Sequence, residues 1–253
     1  MLKIVVPMGG EGRRFIEQGY TFPKPLIEID GRPMIELVSQ NLSPKEPHEF
    51  IFICRQEHLE QYALSDVLKL VAAGCRVVSM REATAGALCS VLLASNHLDS
   101  EQELLVANAD QIVDVCIDSF LADARNRKAD GSIVTFPSTH PKWSYVKLEG
   151  ELVVAAAEKR PISTHGTAGL YYFRRTDQFI AAAERMLLKN ASLRSEFFVC
   201  PVYNEFVLAG MRVTTFEIDR HAMHSLGTPE DVKRYAALLE GPSSGPSPLD
   251  ART

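Results

Sequence analysis

Tryptophan is almost missing: Trp143 is the one indole in 253 residues. Cysteine is sparse, with five residues, an odd number, and no C-x-x-C pair. That excludes a disulfide framework and leaves no zinc-finger spacing. Cys54, Cys75, Cys89, Cys116 and Cys200 each have apolar neighbours, so all are expected to be buried free thiols in a reducing compartment. No apolar run approaches the ~20 residues of a membrane span. The start of the chain has no signal-peptide layout. Together these imply a cytoplasmic protein with no membrane partner. Positive charge is not in excess either. The net charge is −5, which argues against a nucleic-acid partner. No internal repeat is seen, and no Ser/His/Asp-like arrangement offers a nucleophile.

What is present begins at once. Ile4, Val5 and Val6 form a β-branched run bounded by Pro7. Such a run fits a strand buried on both faces, as in a parallel sheet. Gly9-Gly10-Glu11-Gly12 follows, then Arg13 and Arg14, and later Lys24 between two prolines. Backbone amides with little side-chain cover can cradle phosphate oxygens, and three cations stand close by. Known phosphate loops do not fit. No Gly-Lys-Ser/Thr ends the stretch, and Phe15 stands where the dinucleotide fingerprint needs a third glycine. The plainer reading of Gly10-x-Gly12 alone is a turn after a strand.

The remaining alternation predicts an α/β fold. Strands are expected at 50–54, 75–80 and 103–107, and helices at 33–42, 57–71 (broken near Ser65), 84–98 and 117–128. After Gly131 come closely spaced strands at 132–136, 145–148, 152–157 and 167–173, then helices at 177–189 and 201–208. A strand at 213–218 and a helix at 229–239 complete the pattern. This predicts a Rossmann-like, mixed but mainly parallel sheet flanked by helices, in three α/β/α layers. Ligands in such sheets bind beyond the carboxyl ends of the strands. Residues 1–240 are expected to form one domain, with a nucleotide part (1–130) and an acceptor part (131–240). Residues 241–253, rich in Ser, Pro and Gly, are expected to be a disordered tail.

Three blocks carry a resemblance: Gly9-Gly10-Glu11-Gly12-Arg13-Arg14, Pro23-Lys24-Pro25-Leu26-Ile27 and Gly31-Arg32-Pro33-Met34-Ile35. In order and spacing they resemble the sugar-phosphate nucleotidyltransferases, the nucleoside-triphosphate transferase family. The resemblance implies that the loop holds a triphosphate, with Met8, Gly9, Gly10, Gly12 and Arg13 as nucleotide contacts. It implies that Arg14 and Lys24 flank the reacting phosphate as catalytic residues. Further blocks, His140 to Tyr145, Glu196 to Glu205 and Leu226 to Asp231, are similar to the short members of capsule and surface-polysaccharide clusters. That subgroup includes cytidylyltransferases with non-sugar acceptors, such as phosphoglutamine. It favours CTP and a phosphorylated small-molecule acceptor, and it is compatible with a homo-oligomer.

Single residues have two readings each. Asp110, after an apolar strand, is a turn or cap aspartate on pattern alone; the resemblance makes it the ligand of Mg2+, with Asn108 beside it. Thr84 and Gly86 are an ordinary helix start, or contacts to the base. Glu158 and Lys159 are a solvated charged turn, or the resemblance's acceptor contacts. Gly169 corresponds to a glycine that lets substrate approach its strand. Tyr203 and Asn204 line the acceptor pocket or, for Tyr203 more strongly, pack in the core. One departure stands out: Ser225 occupies a position where sugar-phosphate members often carry a second metal aspartate, and Asp219 is the nearby substitute. His221 and His224 invite a metal reading too, although packed or surface histidines are commoner. The rivals to a nucleotidyltransferase are a nucleotide-sugar-using glycosyltransferase and a non-catalytic nucleotide-binding subunit of the same fold.

Overall fold

The computed structural model describes residues 1–240. The chain opens with β1 (Leu2–Met8), the single turn α1 (Arg13–Ile16), a tiny hairpin β2 (Glu28–Ile29) and β3 (Arg32–Pro33), and α2 (Met34–Leu42). β4 (His48–Arg55), α3 (Gln56–Gln61), α4 (Leu64–Val71), β5 (Arg76–Met80) and α5 (Ala87–Leu92) follow. Next come β6 (Leu104–Ala107), β7 (Gln111–Val113) and α6 (Ile117–Asn126). The second part contains β8 (Gly131–Pro137), β9 (Tyr145–Glu149), β10 (Leu152–Ala157), β11 (His165–Phe173) and α7 (Thr176–Leu188). It closes with α8 (Tyr203–Leu208), β12 (Val213–Glu217), β13 (Met223–Ser225) and α9 (Pro229–Leu239).

Nine strands form one sheet, in the order β10-β9-β11-β6-β1-β4-β5, with β8 on β11 and β12 on β8. β6, β1, β4 and β5 pair in parallel, and β11 joins β6 antiparallel. The sheet is thus mixed and mainly parallel on its nucleotide side, as expected. Alternation along β1 sorts the core into two layers. Ile4 and Val6 face α2, α4 and α6 through Val38, Leu68 and Phe120. Val5 faces α5, α7 and α8 through Val91, Phe179 and Phe206. Both faces are covered by helices, which is what a buried parallel sheet requires.

Several boundaries differ from expectation. β1 runs through Pro7 to Met8, because its pairing with β6 ends at Val5 and a missing amide beyond that point costs that ladder nothing. The α3–α4 break falls at Tyr62–Ala63, where Ala63 takes a left-handed φ of 49°, and not at Ser65. The helix expected over 84–98 is only α5, with a separate 3-10 turn at Ser95–His97. The helix expected from 201 starts as a 3-10 turn, Cys200–Val202. β2, β3, β7 and β13 are too short to show a period in the sequence. Cys54 and Cys200 are buried, but Cys75 and Cys89 are half-buried and Cys116 is exposed at the start of α6. The expected tail, 241–253, lies outside the described residues.

Candidate active site

The carboxyl ends of β1, β4 and β6 lie side by side, and the loops after them enclose an opening with two bays. One bay, about 300 Å³, is lined by Met8, Gly10, Lys24, Asn108, Asp110 and Glu158. The other, about 560 Å³, is lined by Gly9, Gly12, Arg13, Arg55, Thr84 and Gly86. Pro7, Gly10, Ala87 and Phe198 border both. The structure therefore brings together most of the residues singled out above.

The glycine loop is a cradle of backbone. Gly12 has φ 67° and starts α1, with Lys24 Cβ only 3.4 Å from where a side chain would begin. A Cβ on Gly9 would sit 2.6 Å from Met80 Cε. Among the described residues the amides of Gly10, Glu11 and Gly12 donate no hydrogen bond. Arg55, at the end of β4, donates from Nε to the Gly9 carbonyl at 3.0 Å and thereby fixes the loop. Glu11 is ion-paired with Arg13 and lies 3.5 Å from Arg55. The Arg13 contact holds the Glu11 carboxyl below the usual carboxylate range. Arg14 is exposed on α1, and its side chain has no partner among the described residues.

Lys24 enters from a 3-10 turn, Lys24–Leu26, set by Pro23 and Pro25. Its ammonium donates to Asp110 Oδ2 and lies 5.8 Å from the Phe15 ring centre. Asp110 Oδ1 accepts nothing among the described residues. The Asn108 amide donates to the Gly169 carbonyl at 2.9 Å, and Asn108 Nδ2 donates to Gln111 Oε1 at 3.2 Å. Gly169 is bound by this arrangement. Its φ is 72°, and a Cβ there would fall 1.8 Å from Gln111 Oε1 and 2.5 Å from Asn108 Nδ2. The groups that approach this glycine are thus two side chains of the protein itself.

Thr84 and Gly86 are not helical. Gly86 has φ 105°, and a Cβ on it would meet the Phe197 backbone at 2.5 Å. Ala85 accepts from the Phe197 amide, and Leu88 donates to the Phe197 carbonyl. This stitching delays α5 to Ala87. The Thr84 hydroxyl does not cap the helix; it bonds the Gly86 carbonyl at 3.0 Å and Ser90 Oγ at 2.7 Å.

Glu158 and Lys159 part company. Glu158 lines the smaller bay and accepts from the Ser144 hydroxyl. Burial pushes its carboxyl up, against the lowering effect of Ser144 and Lys159. Lys159 takes a left-handed φ of 50° and lays its ammonium 4.6 Å from the Phe198 ring centre, outside that bay. Tyr203 is fully buried and donates to the carbonyls of Ser132 and Tyr172. Asn204 pairs with the amide and carbonyl of Ala156. Tyr203 thus packs in the core, the stronger of its two readings, while the acceptor-pocket reading of Asn204 is corrected, because its amide is used up on the backbone of β10.

Asp219 caps a 3-10 turn by accepting from the His221 amide at 2.8 Å. The carboxylate near Asp110 is another one. The point where a Cβ on Gly227 would sit is 3.4 Å from Ser225 Oγ, 3.6 Å from Asp110 Oδ2 and 3.9 Å from Asp231 Oδ2. Asp231 is held by Ser225 at 2.9 Å and Arg234 at 2.8 Å. His224 is paired with Asp114 at 2.7 Å, not with His221. Sequence reasoning missed Arg55, Ser144, Gln111 and Asp231. Arg55 was within reach, since it ends an apolar strand on the side where such sheets bind ligands.

A family model described as the MobA-like NTP transferase domain matches residues 4–195. The chain belongs to this family. It is an NTP-transferring enzyme by that membership, and its fold is shared with solved nucleotidyltransferases. A nucleoside-diphosphate-sugar pyrophosphorylase from Vibrio cholerae RC9 is 26% identical, with a TM-score of 0.80 over 92% of this chain and 99% of that one. The inositol-1-phosphate CTP transferase from T. maritima is 16% identical, with a TM-score of 0.74 over 94% of each chain. A UDP-glucose pyrophosphorylase from Acinetobacter baumanii is 17% identical, with a TM-score of 0.70 over 96% and 95%. These last two speak for the fold. Among the described residues no helix is long and apolar enough to cross a membrane.

Proposed function

We propose that the chain transfers a nucleoside monophosphate, CMP by preference, from its triphosphate to a phosphorylated small molecule and releases pyrophosphate, in the supply of surface or capsular polysaccharide precursors. The observation that carries this is the meeting of Lys24 and Asp110 beside a loop whose amides are unpaired among the described residues. An oxygen of the acceptor's phosphate attacks the α-phosphorus in line. The bond from that phosphorus to the bridging oxygen of the β-phosphate breaks, and pyrophosphate leaves with the electron pair. A phosphomonoester has its second pKa near ~6, so the attacking group needs no general base at neutral pH.

The protein's work is positioning and charge neutralisation. The amides of Gly10 to Gly12 bind the triphosphate, with Met8, Gly9 and Arg13 along the same wall. Arg55 keeps the loop in place through the Gly9 carbonyl. Lys24 exchanges Asp110 for a phosphate oxygen and stabilises the charge on the reacting phosphoryl group. Arg14, exposed on α1 and lining neither bay, swings its side chain to the same triphosphate. Thr84 and Gly86 hold the base in the larger bay, with Asn108 towards the ribose and α-phosphate. Glu158 takes an acceptor hydroxyl, and Lys159 moves off Phe198 to the acceptor phosphate. Gly169 acts here by making room for Asn108 and Gln111.

The donor set fits Mg2+. A magnesium site beside phosphates needs only one or two carboxylates, and Asp110 has one oxygen unpaired among the described residues, with Asp231 close by. When bound, the ion would offset the triphosphate's charge, with Asp110 as its protein ligand. The preference for CTP rests on the subgroup resemblance; the T. maritima CTP transferase is compatible with it.

The test is a screen for pyrophosphate release with Mg2+, crossing CTP, UTP, dTTP, ATP and GTP with phosphorylated sugars, polyols and amino-acid amides. Release that needs both CTP and one acceptor is expected. Release with another triphosphate overturns the base preference. Silence for every pair, with hydrolysis of nucleotide-sugars, replaces the reading with the glycosyltransferase.

A further inference from the structure

A third cleft, about 620 Å³, lies between α9, β13 and the loop after β8. It shares no lining residue with either bay of the active site. Its size is that of a small-molecule site. The chain carries net negative charge, yet Lys142, Arg220 and Arg234 converge on this cleft. The two carboxylates that line it among the described residues are already engaged: Asp114 with His224, and Asp231 with Ser225 and Arg234. Lys142 and Arg220 have no carboxylate partner among the described residues. Phe136, Trp143 and Tyr235 supply an apolar wall, on which Lys142 rests 4.5 Å from the Trp143 ring centre.

We infer that this cleft is a second binding site, for a small phosphorylated ligand. Two cations with no carboxylate partner among the described residues, set on an aromatic wall, suit a compact dianion joined to an apolar or ring-shaped remainder. Guanidinium binds phosphate through paired hydrogen bonds, and ammonium does so as a point charge. Carboxylate ligands present less charge to the same groups. The site meets the catalytic centre at a shared wall. Ser225 and Asp231 line the cleft, and their oxygens face Asp110 across Gly227.

Trp143 is the chain's one tryptophan and stands in this cleft, so its emission reports on the site directly. The experiment titrates the full chain with inorganic phosphate, pyrophosphate and glucose 1-phosphate, none of which absorbs where tryptophan does. A saturable change in emission at millimolar concentration or below is expected. Its midpoint should rise about tenfold, the effect of ~1.4 kcal/mol, in Arg220→Ala and in Lys142→Ala, and stay put in Lys24→Ala. Stronger binding of glucose 1-phosphate than of inorganic phosphate identifies an organic phosphate as the ligand; the reverse identifies free phosphate. No saturable change with any probe overturns the site. So does a change lost in Lys24→Ala but kept in Arg220→Ala, which places the ligand in the catalytic bays. No triphosphate is used, so the result stands whether or not the chain transfers CMP.

Discussion

At the amino end of β6, Glu103 accepts from Arg125 at 2.9 Å and from the Tyr172 hydroxyl at 2.5 Å, while Arg125 also pairs with Glu46. Just past the carboxyl end, Asp110 meets Lys24 with one oxygen and, among the described residues, nothing with the other. Burial pushes the Glu103 carboxyl up, but the hydrogen bonds and charge of Arg125 and the Tyr172 hydroxyl outweigh it and hold it below the usual range. Glu158, at the same end of the sheet as Asp110, is pushed up by burial, which the Ser144 hydroxyl and the Lys159 charge offset only in part. One end of the sheet uses up its charges on itself. The other leaves an oxygen, three amides and Arg14 for something else to satisfy. A carboxylate fully answered by its neighbours holds a fold together, and one half-answered is ready for a ligand.

The contrast predicts where substitutions act. The largest effect belongs to Lys24→Ala, which should lose on the order of 2–4 kcal/mol of transition-state stabilisation while the melting temperature stays near that of the wild type. Steady-state kinetics beside a thermal melt checks both halves. Gly169→Ala comes next. It forces a Cβ into Gln111 and Asn108 at a positive φ, and should cost about 1–3 kcal/mol of stability. Chemical denaturation measures this, and a stability like that of wild type would show that the crowding at the strand end is relieved cheaply.

At the amino end, Glu103→Gln should cost about 1.5–3 kcal/mol of stability and leave kcat unchanged. The pH dependence follows from the sign of the shift. The folded pKa lies below the unfolded one, so the stabilisation is present above the usual carboxylate value near ~4.3 and fades as pH falls through the folded pKa. Melts of the two proteins should therefore converge on acidification. Glu158→Gln should give the smallest change, within about 0.5 kcal/mol, and in the other direction. Here the folded pKa is raised, so the wild type loses stability as pH rises through it. The variant should melt slightly higher at neutral pH, and the gap should close towards pH 4.

Much of the nucleotide half was readable because each signal there is local. The β-branched run of β1, the bare loop and the Pro-Lys-Pro turn sit within the first 29 residues, and the strand–helix period does the rest. What could not be read depends on partners distant in sequence. α5 starts late because Gly86 is pinned against Phe197. β7 and β13 are strands only because they pair with each other across more than a hundred residues. Asp231 reads as an ordinary first-turn aspartate of α9 until Gly227 places it near Asp110. Asn204 resembles a pocket residue in sequence, and in the fold it pairs with the backbone of β10. Cys116 had apolar neighbours in the chain, yet it stands at the exposed start of a helix. Neighbours in sequence report the strand or helix, whereas burial and site membership are set by the elements packed against it.

Nucleotide transfer to a phosphate is visible atom by atom in phosphorus NMR of the complete reaction. The α-phosphorus signal of CTP is expected to be replaced by that of a diphosphate-linked product, with pyrophosphate appearing in equal amount and only when the acceptor is present. Pyrophosphate or orthophosphate formed at the same rate without acceptor, with free CMP or CDP as the other product, would contradict it.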